Sequence, residues 1–143
     1  MNKSEFPPNL ESEINNIAID FDGVIHNNDK GWHDGTCYGE PIEGSLEAIK
    51  ELSKNFNIII FTAKAKRDRP DVGGKTGVML VREWCIKHGI IDYIKQITSE
   101  KPRARIYIDD KGYTFENWKN TMNFMKDLQS WMRETSESKF LKG

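Results

Sequence analysis

Three apolar stretches stand out along the chain, and each is closed by an oxygen-bearing side chain. Ile17, Ala18 and Ile19 run into Asp20; FNIIIF at 56–61 runs into Thr62; ARIYI at 104–108 runs into Asp109 and Asp110. Continuous apolar runs of this length predict strands covered on both faces, because a half-exposed strand would alternate with polar residues. A fourth strand is expected at Tyr93–Thr98. Between these runs the apolar period changes to that of a helix. Leu46, Ile49 and Leu52 follow Gly44-Ser45; Val78, Val81, Trp84 and Cys85 follow Thr76 and stop at Gly89; Trp118, Met122, Met125 and Trp131 mark a long amphipathic helix from Asn117 to about Arg133. The polar, Gly-rich stretches HNNDKGWHDGTCYGEP (26–41) and KAKRDRPDVGGKT (64–76) read as loops.

Strands that alternate with helices imply right-handed crossovers, hence an α/β fold: a Rossmann-like parallel sheet with helices on both faces. The core is expected over 16–134 as a single domain, with 1–15, which carries Pro7-Pro8, as a flexible lead-in and 135–143 as a frayed tail. A length of 143 residues suits one compact core. The formal net charge of -1 gives no general attraction to nucleic acid or anionic lipid, so any positive field must be local. Two cysteines, Cys37 and Cys85, make neither a disulfide framework nor a zinc site. With no apolar run long enough to span a bilayer and no apolar signal-peptide core at the N-terminus, the expected setting is soluble and cytoplasmic.

In parallel α/β sheets the ligand site lies beyond the carboxyl ends of the strands. Those ends carry Asp20, Thr62, Asp109 and Asp110, with Asp22 just beyond, two residues from Asp20 and directed to the same side. Buried strands avoid acids unless these are paired, metal-bound or chemically employed. A cluster of four carboxylates needs a cation, and hard oxygen ligands suit Mg2+, which takes one or two carboxylates, waters and a substrate phosphate. A magnesium-dependent phosphoryl site is the expectation.

These residues also resemble the four-part signature of the haloacid dehalogenase-like hydrolases. DFDGV at 20–24 looks like the first motif, IIIFTAK with Thr62 the second, Lys101 in SEKPRA the third, and IYIDD with Asp109-Asp110 the fourth; the likeness covers roughly 17–118. It implies a capless phosphatase, since a loop and one core helix use most of each interval between the motifs. By the same resemblance Asp20 is the nucleophile that forms an aspartyl-phosphate. Asp22 is the general acid and then the base. Gly23 lets backbone N–H groups approach the phosphate, Thr62 donates to a phosphate oxygen, and Lys101 neutralises Asp20 and the phosphoryl charge. The metal is held by Asp20, the backbone carbonyl of Asp22 and Asp110, with Asp109 acting through water or holding Lys101. Ala63 and Lys64 follow Thr62 in the substrate-binding segment, where the family often has Arg in place of Lys64.

The expected substrate is a small phosphorylated metabolite such as a sugar or polyol phosphate, with no membrane partner and no nucleic acid. Capless members of the family act either on large substrates that reach an open site or on small metabolites, with a flap or a partner subunit, such as a second copy of the chain, closing over them. Trp32 and His33, in the loop after the nucleophile strand, are placed to touch the leaving group as such a flap. His26, His33 and His88 otherwise read as ordinary scattered histidines, and GGKT at 73–76 is not a P-loop because Arg69 stands at its first Gly position. The basic residues of 64–75 read either as a solvated loop or as a positive lip for an anionic substrate. Two readings compete: a phospho-acceptor regulatory module, against which the order of Lys101 before Asp109 argues, and a phosphatase for nucleic-acid ends.

Overall fold

The structure, a computed structural model, describes residues 15–109 and 113–142, with side chains described as far as Ser130. Residues 1–14 and Asp110 lie outside the described residues, so the expected lead-in and the expected direct ligand Asp110 are not part of the geometry below. The elements run β1 (Asn16–Asp20), α1 (Ser45–Leu52), β2 (Asn57–Phe61), α2 (Gly77–Lys87), β3 (Ile94–Thr98), β4 (Ile106–Asp109), β5 (Tyr113–Thr114) and α3 (Trp118–Lys142). The sheet order is β3-β2-β1-β4-β5, and every pairing is parallel. This is a single-domain Rossmann-like α/β fold.

The sheet is buried on both faces, as the apolar runs require. Ile17, Ile19, Ile58, Ile60 and Ile108 point one way and join Ala48, Ile49, Leu52, Trp84, Cys85, Trp118 and Met125 in one cluster. Ala18 and Ile59 point the other way and are also buried. Each fully buried Ile contributes about 1.5–3 kcal/mol relative to exposure. The central strand β1 is therefore held stiffly, and its last residue inherits that precision.

Element ends differ in detail from the pattern. β3 begins at Ile94, because Ile91–Tyr93 winds into a 3-10 turn. β4 begins at Ile106, because the Ala104 N–H donates to the Tyr107 hydroxyl at 3.2 Å instead of to a strand. β5 is two residues long, too short to leave a period. Val78 proves exposed, and α2 buries Val81, Trp84 and Cys85 instead. The helix α3 continues to Lys142, through the stretch expected to fray; TSESKFLK contains neither Gly nor Pro to stop it. Trp118 and Met125 are buried in it, Met122 is half-buried, and the Trp131 side chain lies outside the described residues. Among the described residues no helix is long and apolar enough to cross a membrane.

Candidate active site

Asp20 ends β1, and its register positions it by its neighbours. Asp20 pairs with Phe61 on β2, while Ile19 pairs with Ile108 on β4, so Asp20 and Asp109 occupy neighbouring positions on adjacent strands. Adjacent strands lie about 4.8 Å apart, which brings the two carboxylate-bearing residues to one edge. Thr62 follows Phe61 at the same level and is buried. Its hydroxyl oxygen accepts the Lys64 N–H at 3.2 Å, capping the 3-10 turn Ala63–Ala65, which leaves its hydroxyl proton to donate. Ala63 is exposed at the start of that turn.

Beyond Asp20 the chain turns sharply. The N–H groups of Val24, Ile25 and His26 all converge on the Phe21 carbonyl, and the Gly23 N–H donates to the His26 carbonyl at 2.9 Å. The turn returns His26 to Asp22. Asp22 Oδ1 lies 2.9 Å from His26 Nδ1, and Oδ2 lies 2.7 Å from Lys64 Nζ. Burial alone would raise the Asp22 pKa, but hydrogen bonds from His26 and Lys64, and then the Lys64 charge, outweigh it and hold the carboxyl below its ordinary range. In this arrangement Asp22 is a carboxylate with both oxygens engaged.

Lys64 is fully buried, which a lysine tolerates only when paired. Its position is enforced through the backbone. The Lys64 carbonyl accepts Arg69 Nη1 at 2.8 Å, and α2 begins directly against it: a Cβ at Gly77 would come within 1.4 Å of that oxygen, so only glycine fits. The Lys64 ammonium also sits 4.8 Å from the Trp32 ring centre, and the Arg69 guanidinium lies 4.0 Å from the same ring. Two cations thus tie the Trp32 loop to the segment after β2. His33 is not drawn to this group; it is exposed, at φ 50°, with its ring edge-on to Tyr38.

At the end of β4, Lys101 Nζ meets Asp109 Oδ2 at 2.8 Å. The ammonium also lies 4.5 Å from the Tyr107 ring centre and 5.8 Å from that of Phe61. Each of the two lysines singled out in the sequence, Lys64 and Lys101, is thus paired with a carboxylate near a strand end.

Three of the five basic residues of 64–75 are engaged with other parts of the fold. Lys64 pairs with Asp22, Lys75 with Glu83 at 2.9 Å, and Arg69 covers Trp32. Lys66 and Arg67 share an open depression of about 630 Å³ with Asp68 and Glu100. GGKT forms a tight hairpin turn closed by two hydrogen bonds between Val72 and Lys75. Burial pushes the Cys37 and Cys85 thiols up to about 12, so neither is a thiolate nucleophile at neutral pH.

Among the described residues no three His, Cys, Asp or Glu side chains form a metal-holding group. The available donors are nonetheless hard oxygens: Asp20 and Asp109 on neighbouring strands, with the Asp22 backbone carbonyl beyond. Such a set fits Mg2+, which needs few protein oxygens and completes its shell with water and phosphate.

Two residues central to this arrangement were not legible as such. His26 reads as a scattered histidine because its bond to Asp22 depends on the turn at 21–26, and Arg69 reads as one charge among many because only the fold lays it on Trp32. No family model, curated protein or solved structure matches this chain.

Proposed function

We propose that the chain is a magnesium-dependent phosphomonoester hydrolase that acts through an aspartyl-phosphate on Asp20. The observation that supports this most is the convergence of strand ends: Asp20, Thr62 and Asp109 at one edge, with Asp22 beside them and two lysines, Lys64 and Lys101, flanking. Four motifs in the order of the haloacid dehalogenase-like signature, on a parallel sheet of the expected class, add to it.

Asp20 attacks phosphorus; the new O–P bond forms as the bond to the leaving oxygen breaks. Asp22 supplies a proton to that leaving oxygen. Water then attacks the aspartyl-phosphate, losing its proton to Asp22 as the Asp20 O–P bond breaks. As held by His26 and Lys64, Asp22 is set for the second step. The first step needs it protonated, and a phosphate dianion arriving beside it raises its proton affinity by like-charge repulsion. Thr62 donates its hydroxyl to a phosphate oxygen, and Lys101 with Lys64 offsets the phosphoryl charge. Mg2+ held by Asp20, the Asp22 carbonyl and the fourth motif, in which Asp110 is the intended direct ligand, would supply further charge neutralisation at the phosphate.

A small metabolite phosphate, such as a sugar or polyol phosphate, fits the mixed charge of the loop after Thr62, where Lys75 is paired with Glu83 and Lys66 and Arg67 share their depression with Asp68 and Glu100. The test is phosphate release from an aryl phosphate and a panel of metabolite phosphates, with magnesium or with chelator. We expect Mg2+-dependent release that Asp20→Asn lowers by about 10³-fold or more, with the circular dichroism spectrum unchanged. Release indifferent to chelator would remove the metal from the mechanism, and substantial turnover by the variant would remove Asp20 as nucleophile.

A further inference from the structure

His26 is the only histidine of the three whose ring is wholly enclosed. It stacks on Phe21 with ring centres 5.0 Å apart and planes 7° from parallel, and it meets Trp84 and Tyr38 edge-on at 5.7 and 5.3 Å. The ring cannot turn without moving three aromatic neighbours. Both of its nitrogens are engaged, and in opposite senses.

Nε2 accepts the Gly39 backbone N–H at 2.9 Å. A backbone N–H can only donate, so Nε2 carries no proton and the ring's proton sits on Nδ1, which faces Asp22 Oδ1 at 2.9 Å. Gly39 is itself fixed. A Cβ there would fall 2.0 Å from the Asn27 carbonyl oxygen, and the Gly39 carbonyl accepts Trp84 Nε1 at 2.9 Å. The neighbouring backbone closes the frame, with bridges from His26 to Asp22 and to Pro41. A rigid backbone donor thus dictates the tautomer of a buried imidazole, and the tautomer makes that ring a donor toward Asp22.

We propose that His26 is a positioning residue for Asp22: its Nδ1–H clamps Oδ1 while Lys64 holds Oδ2, and the two contacts together fix the orientation of the carboxyl that the reaction uses. The proposal rests on the hydrolase reading above. Its clamp has no need of that reading and can be measured alone. Without the clamp, Asp22 would still reach Lys64 but could rotate about its side-chain bonds, and misplacement of about 1 Å costs on the order of 100-fold in rate.

Two substitutions separate positioning from packing. In His26→Asn the amide Nδ2 overlays the imidazole Nδ1 and keeps a donor toward Asp22, while the Gly39 N–H loses its acceptor. His26→Gln does the reverse: its amide oxygen reaches the Gly39 N–H, and Asp22 loses its donor. We expect His26→Asn to keep kcat within about threefold of the parent and His26→Gln to lower it about 10- to 100-fold at nearly unchanged KM. Equal losses in both variants, or a larger loss in Asn, would overturn the proposal and leave the ring as a spacer for the loop. A second measurement needs no variant to be active. Long-range proton–nitrogen NMR of histidine-labelled protein should give the His26 signal of the Nδ1–H form, and the Nε2–H form would overturn the clamp. A parent protein that releases no phosphate from any ester would overturn the hydrolase reading and the catalytic use of the clamp together, whereas the Nδ1–H signal in that same sample would support the clamp itself.

Discussion

Two lysine–carboxylate pairs flank the strand ends, alike in length and opposite in burial. In Lys64–Asp22, at 2.7 Å, the cation is fully buried and the carboxylate side chain is 19 % exposed. In Lys101–Asp109, at 2.8 Å, the cation is 41 % exposed and the carboxylate 4 %. The difference fits the roles proposed for the two pairs. On the Lys64 side a buried ammonium steadies a part-exposed carboxylate, as the proposed acid and base requires. On the Lys101 side a buried carboxylate anchors a part-exposed ammonium, as the proposed contact with a phosphate requires.

The asymmetry predicts unequal costs. Asp22→Ala strands a buried ammonium, and urea unfolding should show a loss of about 3–5 kcal/mol, whereas Lys64→Met should lose clearly less because Asp22 can turn to water. Equal losses would break the comparison. Lys101→Met comes next: water can replace the half-exposed ammonium, so stability should fall by only about 1–2 kcal/mol. Activity in that variant should fall far more, by about 10²–10³-fold at saturating substrate. A variant unstable in proportion to its inactivity would make Lys101 structural.

The acid limb of the stability curve offers a finer test. The folded-state pKa of Asp22 is depressed, so its contribution is present above the unfolded-state value and is lost as pH falls through the folded-state value. Denaturant midpoints measured against pH should therefore fall less steeply toward acid in Asp22→Asn than in the parent. The smallest effect is expected at Trp32. Its ring is 45 % exposed and held by Lys64 and Arg69, so Trp32→Ala should cost only about 0.5–2 kcal/mol. A changed KM at constant kcat would mark the Trp32 loop as part of the substrate's seat, and no change in either would confine Trp32 to bracing the loop.

The strand ends were readable from the chain because chemistry and burial conflict there. An apolar run such as Ile17–Ile19 must enter the sheet, and an acid at its end must leave it, so Asp20 and Asp109 fall at the sheet edge whatever the rest of the fold does. Helix faces were readable for the same reason of period as far as the side chains are described, with the exception of Val78, whose place at the first turn of α2 lets it overhang the core. Short β5 and the true starts of β3 and β4 were not, since a few residues carry no period and single bonds such as Ala104 to Tyr107 decide them.

Lys64 shows most directly where local reading stops. In the chain it stands among five basic residues of a polar loop; its place after Thr62 suggests a contact with substrate, and nothing there foretells its pairing with Asp22. Gly77, Arg69 and Trp32 bury it, and these contacts exist only after α2 has docked. The sequence by itself determined the parallel α/β sheet and the edge at which the oxygen-bearing side chains gather, because burial of apolar runs is an additive, local demand. The tertiary structure decided which lysine serves which carboxylate, and which nitrogen of His26 bears the proton. Pairing in low dielectric is settled by distances of a few ångströms between segments far apart in the chain, and those distances are properties of the packed fold alone.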